Sequence, residues 1–327
     1  MNATNQAFLI NWAQQNMQFD DLKKDDTVIK ACFEACSKCM LENIEIDSLN
    51  LLGTGSFGKV YSFPEKRNTK NTVVKLFKST TDIKMILREV SMAKIPEHEN
   101  IIQTFSCITL HTKESTRTGI LLEAGSEELF HYMQNILMKG EQISDQKLED
   151  FVLDIMLGVE WLHDHGVYHC DLKLDNILVT PGEILKLCDF GLAHSDEWKV
   201  REENTQKMGF TNFGSLTPSG GVVGYFGTPS FIPTRQLATD PSFVKKRDEW
   251  AMGCIFFILA YGTMLYTKCT NDILSILFSV KTKNGPQSFA QIYNYPPRCV
   301  ENILSAFLRQ EPKSVKEVLE RLKIGMQ

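Results

Sequence analysis

Four polar side chains that would be costly in a protein core stand in apolar stretches of this chain, far apart in sequence. Lys75 lies among Val73, Val74, Leu76 and Phe77; Asp171 and Asn176 share the string His169-Cys170-Asp171-Leu172-Lys173-Leu174-Asp175-Asn176; Asp189 opens Asp189-Phe190-Gly191. An ammonium in such a strand needs an anion, unless its stem carries it out to solvent. Two carboxylates and an amide at these spacings likewise suit a polar site better than a core. A further string, Gly53-Thr54-Gly55-Ser56-Phe57-Gly58-Lys59-Val60, offers the matching chemistry. Its glycines at 53, 55 and 58 let the backbone approach phosphate oxygens without interference from a Cβ. Alone, that string would be a flexible hairpin; followed by a strand that ends in Lys75, it reads as a phosphate cradle.

The elements that must carry these groups are legible in the periodicity. From Ile44 to Phe77 apolar and polar residues alternate around glycine turns, as in antiparallel strands. Residues Thr81 to Lys94 switch to helical spacing, with Ile83, Ile86, Leu87 and Val90 on one face and Pro96 beyond the end. Strand-like text returns from Ile101 to Glu123. Beyond Ser126 helices dominate, at Leu148–His163, Trp250–Tyr261 and Val300–Lys323. A strand-rich lobe followed by a helical one, joined near Leu122-Glu123-Ala124-Gly125, predicts an α+β, bilobal fold with a cleft for a nucleotide.

Bulk composition narrows the class. The 327 residues can bury a large core, and 35 basic against 40 acidic residues leave a formal charge of -5, which argues against binding nucleic acid or anionic membrane through overall charge. Nine cysteines, scattered through apolar text, predict reduced thiols in an intracellular protein, cytoplasmic or nuclear. The start lacks a secretory signal pattern, and the apolar run Cys254–Tyr261 falls far short of the roughly 20 residues of a membrane span. Within residues 1–46, an N-terminal extension, Cys32, Cys36 and Cys39 share a helix face; without a nearby histidine they read as packed thiols rather than a zinc site.

In this order and spacing, the four strings resemble those of a eukaryotic-type protein kinase of the Ser/Thr branch. Asp248-Glu249-Trp250-Ala251-Met252-Gly253 and His98-Glu99-Asn100-Ile101 extend the resemblance over residues 47–323, with an N-lobe at 47–122, a hinge at 123–126 and a C-lobe at 127–323. The resemblance implies that Gly53, Thr54, Gly55, Ser56, Phe57, Gly58, Lys59, Val60 and Glu123 contact ATP. It implies that Lys75 binds the α- and β-phosphates and pairs with Glu89, and that Asn176 and Asp189 hold Mg²⁺. Asp171 would orient the substrate hydroxyl and accept its proton, and Lys173 would neutralise the γ-phosphate. Lys173, with Thr228 in Gly227-Thr228-Pro229-Ser230-Phe231, favours Ser or Thr as acceptor. Asp248 would cap the backbone of the catalytic loop.

Departures from the family pattern carry expectations of their own. Cys170 stands where the family usually has an arginine that pairs with a phosphorylated activation loop, so activity without loop phosphorylation is expected. Pro233-Thr234-Arg235 replaces Ala-Pro-Glu, and Val315 takes the place of the arginine that glutamate would pair with, a matched loss of both partners. The stretch from Gly191 to Gly227, rich in Gly, Ser and Thr, reads as an enlarged activation segment. This divergence resembles the kinases of large DNA viruses, which would place the protein inside a host cell.

The partners implied are protein substrates with Ser/Thr acceptors; oligomeric state is not legible. Two other readings stand beside the kinase: a pseudokinase scaffold, motivated by Cys170 and Arg235, and a small-molecule kinase of related fold. Glu127 and Glu128 would touch the ATP ribose or a basic substrate residue, or else start a solvated helix.

Overall fold

A computed structural model of the chain describes residues 44–55, 58–63, 71–78, 80–111, 116–139, 141, 143–195, 231, 243–261, 303–304, 306–308 and 313–325. The expectations for the N-terminal extension and its three cysteines, for Ser56 and Phe57, for Thr228, for Pro233–Arg235 and for most of the activation segment lie outside the described residues. Those up to Glu97, together with Ile102–Ala124, form one compact unit; His98–Ile101 and the described residues from Gly125 onward form a second. The first is strand-rich and the second mainly helical, the expected α+β architecture.

The first unit is a six-stranded sheet of β1 (Ile44–Glu45), β2 (Asn50–Thr54), β3 (Gly58–Ser62), β4 (Thr72–Phe77), β5 (Thr104–His111) and β6 (Thr116–Glu123), in the order β1-β5-β6-β4-β3-β2. All pairs are antiparallel except β1 with β5. Helix α1 (Ile83–Ser91) continues as a 3-10 turn to Lys94, which accounts for the helical spacing read up to that residue. All six residues of β4 are buried, because apolar clusters cover both of its faces. Phe77 packs with Ile86 and Val90 of α1, and with Cys107 and Ile120. Val74 and Leu76 pack on the opposite face with Tyr61 and Ile108. The two-residue period of a strand therefore puts Lys75 on the same face as Phe77, the one that α1 covers.

In the second unit, helix α2 (Leu129–Met138) follows the short strand β7 (Glu127–Glu128), which pairs with β9 (Ile177–Val179); β9 in turn pairs with β10 (Leu185–Leu187). Glu127 and Glu128 thus lie half-buried in a strand rather than at a solvated helix start. Helix α3 (Asp145–Asp164) is capped by Ser144, whose Oγ accepts from Lys147 N–H, and buries Leu148, Phe151, Val152, Ile155, Val159 and Leu162 along one stripe. After β8 (Val167–Tyr168), which pairs with β11 (His194–Ser195), the most enclosed of the described helices is α4 (Phe243–Tyr261). It starts seven residues ahead of the predicted Trp250, because its first turns carry half-buried Lys245, Lys246 and Arg247 and show no apolar stripe. From Asp248 to Leu259 every residue is buried, as in a helix surrounded by protein. Gly253 marks a close approach: a Cβ there would fall 2.8 Å from Leu308 and 3.0 Å from Phe307.

The expected helix over Val300–Lys323 is interrupted among its described residues. Helix α5 (Val315–Gly325) begins afresh after Ser314, whose Oγ accepts from Glu317 N–H. Ser314 and Glu317 have the spacing of a capping box, and Pro312 disfavours helix just upstream.

Glu249 meets the start of α5. It is 2% exposed and accepts a hydrogen bond from the backbone of Val315. Burial pushes its carboxyl up to about 8; Asp248 adds to the rise, while Lys245, Lys246 and the Val315 N–H oppose it. The folded chain therefore binds a proton that the unfolded chain releases. The resulting stabilisation is complete below pH 4.5, the ordinary value, and fades as pH rises to about 8. Glu249→Gln should gain stability relative to wild type across that window and hold a constant lead above it. Urea unfolding midpoints at a series of pH values test this, and a difference that does not change with pH would contradict it.

Candidate active site

In the first unit, Lys75 Nζ lies 2.7 Å and 2.8 Å from the two carboxylate oxygens of Glu89. The side chains are 11% and 4% exposed, so both charges are almost wholly removed from water. The Phe77 ring centroid is 5.9 Å from the ammonium. A buried pair of this kind gains little net stability, since desolvation offsets attraction. What it does is hold a cationic donor at a fixed point on β4.

The glycine string forms the β2–β3 hairpin, with Gly53 opposite Val60, Thr54 opposite Lys59 and the turn closed by Gly55 N–H to Gly58 O at 2.9 Å. Its glycines have different reasons to be glycine. A Cβ on Gly58 would sit 2.6 Å from the carbonyl oxygen of Leu76, so the pairing of β3 with β4 requires it. Among the described residues, a Cβ at Gly53 would meet nothing within 4 Å, and one at Gly55 only Gly58 O at 3.8 Å. The described packing does not demand glycine at either position, and neither has positive φ. Bare backbone there suits the approach of an external anion. Thr54 and Lys59 are exposed and Val60 is half-buried. Glu123, expected at the nucleotide, uses its Oε2 to accept from Gln103 N–H at 3.2 Å, and its own N–H bonds Gln103 O.

In the second unit the catalytic-loop string is held by one carboxylate. Asp248 Oδ2 accepts from His169 N–H at 2.8 Å and faces His163 Nε2 at 3.1 Å, while Oδ1 accepts from Cys170 N–H at 2.8 Å. Its burial pushes the carboxyl up, but the bond to His163, the nearby His163 and His169 rings and the Cys170 N–H outweigh this and hold it below the usual carboxylate range. His169 Nδ1 accepts from Asp171 N–H at 3.3 Å, which leaves Nε2 to donate to Cys188 O at 2.9 Å and fixes the ring tautomer.

Asp171, Lys173 and Asn176 converge. Asp171 Oδ2 accepts from Asn176 Nδ2 and Lys173 Nζ, each at 3.1 Å, and Asn176 Nδ2 also bonds the Asp171 carbonyl at 2.8 Å. Asn176 commits its NH₂ to Asp171, which leaves its carbonyl oxygen as the atom suited to a hard cation. Asp189 joins the loop through its neighbour, because Cys188 N–H donates to Asn176 O at 3.0 Å. Phe190 is buried, with its ring centroid 5.0 Å from that of His169. Cys170 and Asp189 both have φ of +64°, a conformation that costs a residue bearing a Cβ and that concentrates at functional sites.

The structure thus brings Lys75 to Glu89 in one unit, and Lys173 and Asn176 to Asp171 in the other. Sequence reading missed His163, the third donor to Asp248, and Arg247, whose Nη2 donates to Cys170 O at 3.4 Å. Its position beside Asp248 in the chain was the available signal for Arg247; His163 had none, since helical spacing assigns it to the core side of α3. The motif His98–Ile101 belongs to the helical unit, tied there by Asn100 Nδ2 to Leu185 O at 3.1 Å and Leu187 N–H to Asn100 O at 2.9 Å.

Comparison with known proteins agrees with this geometry. The family described as protein kinase domain matches residues 46–319. Among curated proteins the chain is 25% identical over 224 residues to cyclin-dependent kinase-like 2 of Oryctolagus cuniculus, covering 67% of this chain and 35% of that protein. It is 25% identical over 271 residues to serine/threonine-protein kinase 36 of Mus musculus, covering 81% and 18%. With smooth-muscle myosin light chain kinase of Gallus gallus it shares 26% over 258 residues, covering 77% and 12%. The chain therefore spans well under half the length of these relatives. With a family match over most of its residues and the catalytic-loop contacts described above, the chain belongs to the protein kinase domain family.

Proposed function

We propose that the chain is an ATP-dependent protein kinase that transfers the γ-phosphoryl group to Ser or Thr hydroxyls of proteins. The observation that carries this reading is the Asp171 carboxylate, bonded by Asn176 and Lys173 on a loop fixed through Asp248. In the transfer, the acceptor hydroxyl oxygen bonds the γ-phosphorus as the bond from that phosphorus to the bridging oxygen breaks. ADP leaves and the hydroxyl proton passes to Asp171. Lys173 supplies positive charge beside Asp171 for the phosphoryl oxygens, and Lys75, held by Glu89, binds the α- and β-phosphates. Gly53 to Val60 would cover the phosphates, with Glu123 in the segment that meets the nucleotide. The Ser/Thr preference rests on Lys173 and on the printed names of relatives such as serine/threonine-protein kinase 36.

A divalent ion fits the oxygen donors available. Among the described residues no group of three or more His, Cys, Asp or Glu forms a metal cage. Mg²⁺ typically takes one or two protein oxygens together with substrate phosphates, and Asn176 Oδ1 and the Asp189 carboxylate would hold it. When bound, it neutralises phosphate charge during transfer.

The described cysteines 107, 170, 188 and 254 carry free thiols, in keeping with a reducing intracellular setting. No described helix is long and apolar enough to cross a membrane. Cys170 offers no guanidinium to a loop phosphate, which supports turnover without activation-loop phosphorylation.

Three measurements test the proposal. Labelled ATP with Mg²⁺ and a peptide array should yield phosphoserine or phosphothreonine, with Asp171→Asn slower by on the order of 10²–10⁴; nucleotide binding without any transfer would point to a scaffold instead. Phosphatase treatment of the purified protein should leave its rate unchanged, and a loss mapped to a site between Leu192 and Gly227 would overturn independence from loop phosphorylation. Gly53→Ala should keep the wild-type melting temperature and weaken ATP binding, whereas Gly58→Ala should lower the melting temperature itself. Equal melting losses in the two variants would remove the distinction between them.

A further inference from the structure

Residues 169–171 form no regular ladder, yet each of their backbone N–H groups is held by a side chain: His169 and Cys170 by Asp248, and Asp171 by His169 Nδ1. Two of the three carbonyl groups are held by side chains as well. Asn176 Nδ2 takes that of Asp171, and Arg247 Nη2 takes that of Cys170. Cys170 is the residue in this run with φ of +64°, and it directly precedes Asp171. Both of its polar backbone groups are bonded by consecutive side chains of α4, the N–H by Asp248 at 2.8 Å and the C=O by Arg247 at 3.4 Å. Arg247 also lines a small pocket with Asp171, Leu172, Phe231 and Ala251.

A positive-φ residue bearing a Cβ persists only where its surroundings over-determine it. From this geometry we infer that Arg247 is a positioning residue: with Asp248 it clamps the Cys170 peptide from both ends and so fixes the Asp171 carboxylate in its reacting orientation. The motifs assign Asp248 its half of the clamp and assign Arg247 nothing. A guanidinium suits the task, because its planar fork donates in fixed directions, here from a helix buried from Asp248 to Leu259. The inference rests on the kinase reading of Asp171, since orientation of that carboxylate matters to transfer only if it is the base.

The test compares wild type, Arg247→Met and Arg247→Lys by steady-state kinetics on a peptide acceptor, by thermal melting and by amide hydrogen exchange of residues 169–172. The expected result for Arg247→Met is a kcat lower by roughly tenfold or more with KM for ATP unchanged, together with faster exchange in the loop. Arg247→Lys, which keeps a cationic donor, should recover part of the kcat and melt like wild type. Wild-type kcat and wild-type exchange in Arg247→Met would overturn the inference. So would a loss of kcat in both variants in proportion to lowered melting, which marks a merely structural role. If wild type itself transfers no phosphate, the kinase reading fails, while the exchange comparison still decides whether Arg247 holds the loop.

Discussion

A single buried carboxylate, that of Asp248, supports the order of the second unit's chemistry. At 1% side-chain exposure it gives up nearly all hydration, a penalty of several kcal/mol in a real protein unless donors replace the lost water. Two backbone N–H groups and one imidazole do so. The exchange runs both ways, because those N–H groups belong to a loop with no ladder partners and would otherwise be orphaned in the interior. The aspartate needs the loop and the loop needs the aspartate. That mutual requirement sets Asp171, Lys173 and Asn176 within hydrogen-bond distance of one another.

The first unit solves the opposite problem. Lys75 is an ion in a strand whose every residue is buried, so the sheet must supply its counter-charge from α1. Replacing Lys75 and Glu89 by apolar side chains of similar volume would cost the fold little, since buried pairs rarely exceed hydrophobic packing in stability. Under the kinase reading proposed above, their presence serves the phosphates of a nucleotide. The same holds at Gly53 and Gly55, where the described packing leaves room for a side chain that the sequence does not place there. At Gly58, by contrast, the reason is steric and internal.

Much of this was legible without coordinates. The alternation that builds the sheet, the stripe of α3 and the polar strings in apolar surroundings depend on local pattern, whereas the expectation that Asp248 caps the loop backbone came from the family resemblance of its motif. Legibility ended where a residue's role depends on what packs against it. The early start of α4 was hidden because Lys245, Lys246 and Arg247 are half-buried and give no stripe. For Glu127 and Glu128 a helix start was one of two open readings, because a two-residue strand leaves no period to detect. Nothing in the local pattern marks Glu249, whose carboxyl is buried by tertiary packing beside the start of α5.

Gly253 gives the architecture a lever. Helix α4 lies so near Leu308 and Phe307 that a single added methyl group would force one of them to yield. Asp248 is five residues away on the same rigid rod, about 7.5 Å along its axis. A displacement of the rod at that contact would be transmitted to the carboxylate almost undiminished, and from there to the catalytic loop. Variation at positions 253, 307 or 308 would then surface as altered turnover under the proposed function, although none of these residues belongs to the proposed site.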